Sequence, residues 1–399
     1  MNNDWTTVLS DLTRHVTSDR RQLHMHPELS GLEHQTSAYI KSILDEAKIP
    51  YVRIHNTGVM ATIEGHQTGR CIGVRADIDA LPIIEQNDVP YRSVNDGVMH
   101  ACGHDAHTAI QLGVARVLHQ MKDQFSGTVK LVFQPDEEQR GAAKDIVLAG
   151  WLDDVDVMIG LHVMPNLDVG TIELRNGVLN AESGGVRIVV HGKASHGAYP
   201  EQGVDAIVVA GHILTQIQSI VTRMKSPLDP VVLSIGTIAG GNRPNIIADT
   251  VTMEGTLRTI RKDTRTAIQT NVEQLCHQIA SSMGATVDLH WGTGYPMLEN
   301  SAAINDIIVD TATNITSIQQ IVWKEQPSMG AEDFGYYLDQ RPGAFYHMGC
   351  RTPKQQNWFG LHTPYFDIDE RCLMIGVELQ AKTVLRLLEE GQDDVELAE

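Results

Sequence analysis

Hydrophobic positions in the first half of the chain alternate between helical spacing and short continuous runs. Residues 5–23 and 32–47 carry apolar side chains three and four positions apart, which predicts two helices. A third helix is predicted over 110–121. Between these helices lie three nearly continuous apolar runs, typical of strands covered on both faces, at 71–74, 129–133 and 155–161. This alternation predicts an α/β domain.

The middle of the chain has a different order of elements. Two helices bear apolar positions at helical spacing, and four strand-like runs surround them in the order βαββαβ. That order is the ferredoxin-like split unit, so residues 184–295 are predicted to form an inserted domain. Residues 1–183 and 296–399 are predicted to form the main domain. Helices predicted at 304–313 and 371–388, after the insertion, belong to this main domain. The predicted inserted elements are 186–190, 204–224, 231–238, 251–257, 264–283 and 286–291.

Length and composition narrow the functional classes. A chain of 399 residues with 42% hydrophobic residues can fill two domain cores. Its net charge of -19 disfavours nucleic acid and anionic membranes as partners, because both require a cationic face. No apolar run could span a bilayer, and MNNDWTTVLSDLTRH does not have the pattern of a secretory signal, so we expect a cytoplasmic protein. The five cysteines are odd in number and widely spaced, which predicts a ligand or nucleophile rather than a disulfide framework.

Four segments near predicted strand or helix ends carry side chains that bind metals. They are MHACGHDAH, QPDEE, the histidine expected directly after a strand ending at Leu161, and GLHTPYFDIDE. Since the carboxyl ends of strands in an open α/β sheet form its ligand crevice, these segments are expected to converge. Their potential ligands exceed what one tetrahedral zinc ion needs, and they suit two ions sharing a site. The five potential ligands are Cys102, His104, Glu138, His162 and His362.

This mixture of side chains suits hydrolysis of an amide. A metal ion lowers the pKa of bound water from about 15.7 to about 7. A carboxylate must still move the proton from the water to the leaving nitrogen, and adjacent Glu137 and Glu138 can divide the tasks of base and ligand. His24, His26 and His107 are expected to have structural roles.

Other catalytic signatures lack support. Ser195 and His196 do not predict a hydrolase dyad, because adjacent strand residues point to opposite faces. The chain contains no G-x-S-x-G, P-loop, G-x-G-x-x-G or H-E-x-x-H motif. Serine hydrolase, nucleotide-binding and Rossmann interpretations are therefore not favoured.

A series of ordered motifs resembles the amidohydrolase branch of the aminoacylase/carboxypeptidase metallopeptidase family, which includes hippurate hydrolases, auxin-conjugate hydrolases and N-acetyldiaminopimelate deacetylases. The motifs are LHMHPELS, RADIDALP, MHACGHDAH, FQPDEE, GLHVMP, GKASHGAYP, PNIIADTV, EGTLRT, SMGAEDFGYYL and GLHTPYFDIDE. The resemblance implies a mixed-sheet catalytic domain in which all five potential ligands bind two metal ions and Cys102 is a bridge. It also implies that Glu137 is the general base and proton shuttle, and that Asp77 supports the metal centre. Arg75 stands where other branches have a histidine ligand.

The resemblance assigns further roles to the inserted domain. In relatives this domain forms a lid and a dimer interface, so a homodimer is implied. His196 matches a residue that stabilises the oxyanion, and Asn245 and Arg258 match residues that hold the substrate carboxylate. Asp136 and Arg140 depart from the usual loop, where a small residue and glycines are more common.

Taken together, the sequence predicts a metal-dependent amidohydrolase that cleaves the amide bond of small N-acyl amino acids. The cofactors are expected to be two divalent ions, either zinc or manganese. A dipeptidase or carboxypeptidase of the same family is the alternative. An acidic side chain in the pocket that binds a free α-amino group of the substrate would distinguish it. A non-catalytic metal-dependent binding protein and a structural metal site are the remaining interpretations, which predict no spare carboxylate.

Overall fold

The computed structural model describes residues 5–353 and 358–390. The helices in chain order are α1 Trp5–Met25, α2 His34–Glu46, α3 His104–Gln120, α4 Ala143–Leu148, α5 Ala206–Arg223, α6 Lys262–Ser282, α7 Ala302–Thr313, α8 Gly335–Leu338 and α9 Arg371–Glu389. The first strands are β1 Tyr51–Ile54, β2 Gly58–Glu64, β3 Gln67–Asp77, β4 Ser126–Gln134, β5 Val157–Asp168, β6 Thr171–Leu174 and β7 Gly177–Asn180. The remaining strands are β8 Glu182–His191, β9 Val231–Gly240, β10 Thr250–Thr259, β11 Thr286–Trp291, β12 Leu298–Asn300, β13 Gln320–Trp323 and β14 Gly343–Arg351.

The chain forms two compact units. The first contains Met1–Gly177, Glu299–Gln326 and Asp333–Glu399, and the second contains Val178–Leu298 and Pro327–Glu332. The division differs from the predicted boundaries by a few residues and adds a short later segment to the second unit. The predicted assignment of 184–295 as a separate domain stays a prediction.

An eight-stranded mixed sheet organises the first unit among the described residues, in the order β1-β2-β4-β3-β5-β14-β6-β13. Strands β4, β3, β5 and β14 run parallel to one another, whereas β2 is antiparallel to β4 and β6 is antiparallel to β14. The carboxyl ends of the parallel strands therefore meet at one edge of the sheet, which is where α/β proteins place ligands.

Helices α1, α3 and α9 pack together over one face of this sheet. Gly113 of α3 allows the close approach, because a Cβ there would meet the Val377 and Val16 side chains at 2.5 and 3.0 Å. The central strands supply alternate residues such as Ile159 and Leu161 to the same buried cluster. Burial of these apolar side chains fixes the strand ends relative to the start of α3.

The second unit contains its own four-stranded antiparallel sheet, in the order β11-β8-β10-β9. Its elements follow one another as βαββαβ, with α5 and α6 between the strands. Both helices bury one stripe, represented by Ile213 and Ile217 of α5 and by Val272 and Cys276 of α6. This is the ferredoxin-like arrangement that the sequence predicted.

The predicted fold class is confirmed, with corrections at the level of single elements. The prediction that a strand ends at Leu161 is wrong, because β5 continues to Asp168. The additional residues pair with β14, and His162 lies beside His347 in this pairing. Ser195 and His196 lie outside the strands, so the argument from strand geometry does not apply to them. No helix among the described residues is long and apolar enough to cross a membrane.

Candidate metal centre

The structure brings all five predicted ligand side chains to the carboxyl edge of the large sheet. Cys102 lies in the loop before α3, and His104 is the first residue of that helix. Glu138 follows β4, and His162 lies within β5. His362 lies between β14 and α9, 260 residues after Cys102 in the sequence.

These side chains form two groups that share Cys102. One ligand atom from each of Cys102, His104 and His162 lies within 4.8 Å of the others, and the same holds for Cys102, Glu138 and His362. The Cys102 sulfur is 3.4 Å from His162 Nε2 and 3.3 Å from His362 Nε2. Glu138 Oε1 is 3.2 Å from His362 Nε2. Two ligand atoms about 2.0–2.3 Å from one tetrahedral metal ion lie roughly 3.3–3.8 Å apart, so these separations fit metal binding.

Two of the histidines have their Nδ1 atoms occupied by acceptors. His104 Nδ1 donates to the backbone oxygen of Asp79 at 2.9 Å, and His162 Nδ1 donates to the backbone oxygen of Val163 at 2.8 Å. A carbonyl oxygen can only accept, so the proton is on Nδ1 in both rings. The Nε2 atoms are thereby left to bind a metal.

Cys102 is held by the turn that begins α3. Gly103 has φ of 93°, a left-handed conformation that favours glycine, and a Cβ there would collide with the Val163 side chain. Burial raises the pKa of the Cys102 thiol well above its ordinary value. A thiolate in this position therefore requires nearby positive charge, which a metal ion supplies.

Glu138 supplies a further indication that this group of side chains binds a metal. Its Oε1 is buried and, although it lies 3.2 Å from His362 Nε2, it makes no hydrogen bond with the residues that the structure describes. A buried unpartnered carboxylate oxygen is costly, and binding to a metal removes that cost. The donor set of thiolate, imidazole and carboxylate fits zinc and also accepts manganese.

Glu137 lies beside the two groups. One ligand atom from each of Glu137, His104 and Glu138 lies within 4.8 Å of the others, and Glu137 is 8% exposed. The preceding residue, Asp136, has φ of 55°, and its backbone N–H donates to the buried Glu33 carboxylate at 3.0 Å. This strained turn aims Glu137 and Glu138 into the same region.

Asp77 at the end of β3 belongs to a buried polar network. It accepts hydrogen bonds from Arg75 Nη1 at 2.6 Å and from His107 Nδ1 at 2.6 Å, while Arg75 Nη2 donates to Asp333 at 2.7 Å. Burial opposes ionisation of Asp77, but Arg75, His104 and His107 lower its pKa well below the ordinary value. Arg75 thus places a fixed cation among these carboxylates.

Two of the three histidines expected to be structural, His107 and His24, have contacts that suit this role. His107 Nε2 accepts from the Val163 N–H at 2.9 Å, so both of its ring nitrogens are in use. His24 is fully buried, with Nδ1 at 2.7 Å from Asp105 and Nε2 at 3.2 Å from Glu85. Burial opposes protonation of His24, but these two carboxylates raise its pKa.

Comparison with known proteins identifies the family to which these motifs belong. The model of peptidase family M20/M25/M40 matches residues 73–386. The chain belongs to this family. The resemblance drawn from the motifs is confirmed.

Several M20/M25/M40 relatives share nearly the full length. An N-acetyl-L-cysteine deacetylase of Bacillus subtilis is 38% identical over 386 residues, covering 96% of this chain and 91% of the relative. Thermostable carboxypeptidase 2 of Saccharolobus solfataricus is 34% identical over 372 residues, covering 92% and 94%. A solved structure from Bacillus subtilis, described as a dinuclear metal-binding peptidase of the M20 family, has a TM-score of 0.82 and 34% identity over 95% of this chain and 99% of that chain.

The other predicted site residues of this M20/M25/M40 member lie in the second unit. His196 and Asn245 occupy neighbouring exposed loops, since His196 bridges to Ile246 and the Gly197 N–H donates to the Asn245 backbone oxygen at 2.8 Å. Arg258 is half-buried in β10, and its Nη1 donates to the Met329 backbone oxygen at 3.0 Å. The assignment of these three residues to substrate binding or catalysis stays a prediction.

Sequence reasoning missed the buried carboxylates Asp79 and Glu33. Asp79 contacts two candidate ligands, and Glu33 holds the turn at Asp136. The alternation of Arg75, Asp77 and Asp79 at the end of an apolar strand was the available signal, because residues two apart face the same side. Glu33 had no comparable signal.

Proposed function

We propose that this protein is a dinuclear metal-dependent amidohydrolase that cleaves the amide bond of N-acyl amino acids. The observation that carries the proposal is the pair of ligand groups sharing Cys102, with the Glu137 carboxylate beside them. Cys102, His104, Glu138, His162 and His362 would hold two divalent ions, zinc or manganese. The deacetylase name of a relative that covers 96% of this chain supports the N-acyl amino acid substrate.

When bound, the ions would lower the pKa of water and polarise the amide carbonyl. Glu137 would accept the proton of the attacking water and later donate it to the leaving nitrogen. Its neighbour Glu138 would bind a metal together with Cys102 and His362. Glu137 is then the adjacent carboxylate that can move a proton. Asp77 would not bind substrate but would support the metal centre, because it holds the Arg75 and His107 side chains in place by hydrogen bonds.

Residues of the second unit would complete the reaction. His196 would stabilise the oxyanion, and Asn245 and Arg258 would bind the carboxylate of the amino acid. We further propose that this unit serves as a lid and forms a homodimer. A cytoplasmic location and the exclusion of nucleic acid and membranes as partners stay predictions.

A carboxypeptidase or dipeptidase activity is the second candidate. It is favoured by the name of the Saccharolobus relative, which covers 92% of this chain at 34% identity. Such an enzyme would recognise the substrate carboxylate in the same way and would differ on the acyl side. Parallel assays of N-acetyl amino acids and of dipeptides with free amino groups distinguish the two activities.

Metal removal and restoration tests the proposed function. Chelation should abolish hydrolysis of N-acetyl amino acids, and adding Zn²⁺ or Mn²⁺ should restore it with about two ions bound per chain. Circular dichroism should show that the chelated protein remains folded. Full turnover after complete removal of metal, or the lack of turnover of any N-acyl amino acid with two ions bound, would contradict the proposal.

A further inference from the structure

A buried carboxylate, Asp79, lies against both ligand groups. It follows β3 by two residues and is 1% exposed. It is not among the five candidate ligands, and the proposed reaction gives it no role. Its contacts are nevertheless directed at one residue of each group.

The first contact fixes the ring of His104. His104 Nδ1 donates to Asp79 Oδ1 at 3.1 Å and to the Asp79 backbone oxygen at 2.9 Å. Both partners are acceptors, so they fix the tautomer that carries its proton on Nδ1. The ring is thereby oriented with Nε2 towards Glu138 Oε1, 3.9 Å away.

The second contact fixes the backbone of Glu138. Its N–H donates to Asp79 Oδ2 at 3.0 Å, and the Ser30 hydroxyl donates to the same oxygen at 2.7 Å. A carboxylate can accept on both sides, whereas an amide offers one acceptor oxygen and must direct its NH₂ group at a donor on the other side.

We propose that Asp79 is a positioning residue that couples the two ligand groups, because its two oxygens set the orientation of His104 and the position of Glu138. This inference rests on the proposed function, in which those two residues are metal ligands. Groups behind metal ligands tune affinity by about 10- to 100-fold. Loss of Asp79 should therefore weaken both metal positions together.

Glu33 provides a matched control. It is also a buried carboxylate that holds the acidic loop, with its oxygens accepting from the N–H groups of Gly31 and Asp136 and from the Thr57 hydroxyl. None of these partners is a candidate ligand. Glutamine at position 33 keeps an acceptor oxygen for the N–H groups of Gly31 and Asp136, which both donate to Oε1, and its NH₂ group can donate to the Thr57 hydroxyl. The substitution therefore alters a buried carboxyl in the same part of the fold, preserves the turn at Asp136 and does not contact His104 or Glu138.

The test compares Asp79→Asn, Glu33→Gln and the unmodified protein after loading with Co²⁺. Each is equilibrated against a chelator of known affinity while the visible absorption of cobalt, including its band from the Cys102 thiolate, is followed. We expect Asp79→Asn to retain cobalt about 10- to 100-fold less tightly, with shifted absorption bands, and Glu33→Gln to remain within about threefold of the unmodified protein. Equal affinity and identical spectra for Asp79→Asn and the unmodified protein would overturn the inference, as would an equal loss in both variants.

A measurement on the unmodified protein covers the case in which Asp79→Asn does not fold. In protein loaded with Zn²⁺, nitrogen NMR should find a slowly exchanging proton on Nδ1 of His104, assigned by its absence in His104→Gln. A metal-bound Nδ1 would overturn the inference. Hydrolysis is assayed separately, because cobalt binding without turnover would refute the proposed function while leaving the Asp79 result intact.

Discussion

The candidate residues of the two units differ in how firmly the fold holds them. In the first unit, the ring orientations of His104 and His162 and the turn before Glu137 are set by buried hydrogen bonds to other parts of the chain. In the second unit, His196 and Asn245 lie on exposed loops whose contacts are mainly between backbone groups. Rigid buried side chains such as His104 and His162 suit metal binding, whereas exposed loops suit adjustment to a substrate. We therefore expect substitutions at candidate residues of the first unit to change metal affinity or kcat, and those of the second unit to change KM.

The largest expected effect is on the rate after Glu137→Gln. We expect kcat for an N-acetyl amino acid to fall by about 10²- to 10⁴-fold, since glutamine cannot move the proton. Metal content measured by mass spectrometry should stay unchanged. Glu138→Gln is the matched comparison and should lose bound metal instead. A Glu137→Gln variant with ordinary kcat would remove the basis for distinguishing these adjacent carboxylates.

A smaller effect is expected from Arg258→Ala in the second unit. We expect KM to rise by roughly 10- to 100-fold, since a hydrogen bond to a charged group contributes about 1.5–3 kcal/mol. Metal content should not change, and Arg261→Ala, which removes an exposed arginine of the same unit, serves as the control. The penalty should disappear for a substrate whose carboxylate is replaced by a carboxamide. If the carboxamide shows the same penalty, the loss comes from the contact with Met329.

The smallest effect concerns a buried ion pair of the first unit that has no proposed catalytic role. A hydrogen bond from His347, assisted by Lys324 and opposed by burial, lowers the pKa of Glu173 from 4.5 to about 2. The ionised form is therefore favoured in the folded state, and the stabilisation is complete above pH 4.5 and is lost as pH falls towards 2. We expect Glu173→Gln to lower the unfolding free energy at pH 7 by about 1–2 kcal/mol, after allowance for solvent screening.

Urea unfolding of chelated protein at several pH values measures this difference. The gap between Glu173→Gln and the unmodified protein should shrink between pH 4.5 and 2. Asp310→Asn, which breaks an exposed ion pair with Arg386, should change the unfolding free energy by less than about 1 kcal/mol. A Glu173 effect that persists unchanged at the lowest pH would show that packing, not charge, stabilises this position.

The parts of the fold that could be predicted were those with continuous apolar runs. Strands β3, β4 and β5 are covered on both faces, so their sequences reveal them without knowledge of their partners. The end of β5 could not be predicted, because its residues after His162 join the strand only through pairing with β14. Strand β14, with the sequence GAFYHMGCR, mixes small and polar residues, and its burial depends on neighbours distant in sequence.

The candidate site, like the fold, could be predicted from the sequence only in part. The convergence of the five candidate ligand side chains could be expected from their residue types and from the rule that loops after parallel strands meet. That two adjacent glutamates can divide the tasks of base and ligand followed from the chemistry, but the assignment of Glu137 as the base came from the family resemblance. The role of Asp79 required coordinates, because a carboxylate in a loop is usually solvated, whereas here Ser30, His104 and Glu138, from three separate parts of the chain, surround it.

The separation of 260 residues between Cys102 and His362 has a consequence for biosynthesis. During translation, the segments bearing Cys102, His104, Glu138 and His162 leave the ribosome long before the one bearing His362. If His362 is a ligand, a nascent or truncated chain cannot complete the metal centre. Metal loading would then report that the segment bearing His362 has been made and has packed against the loop that bears Cys102.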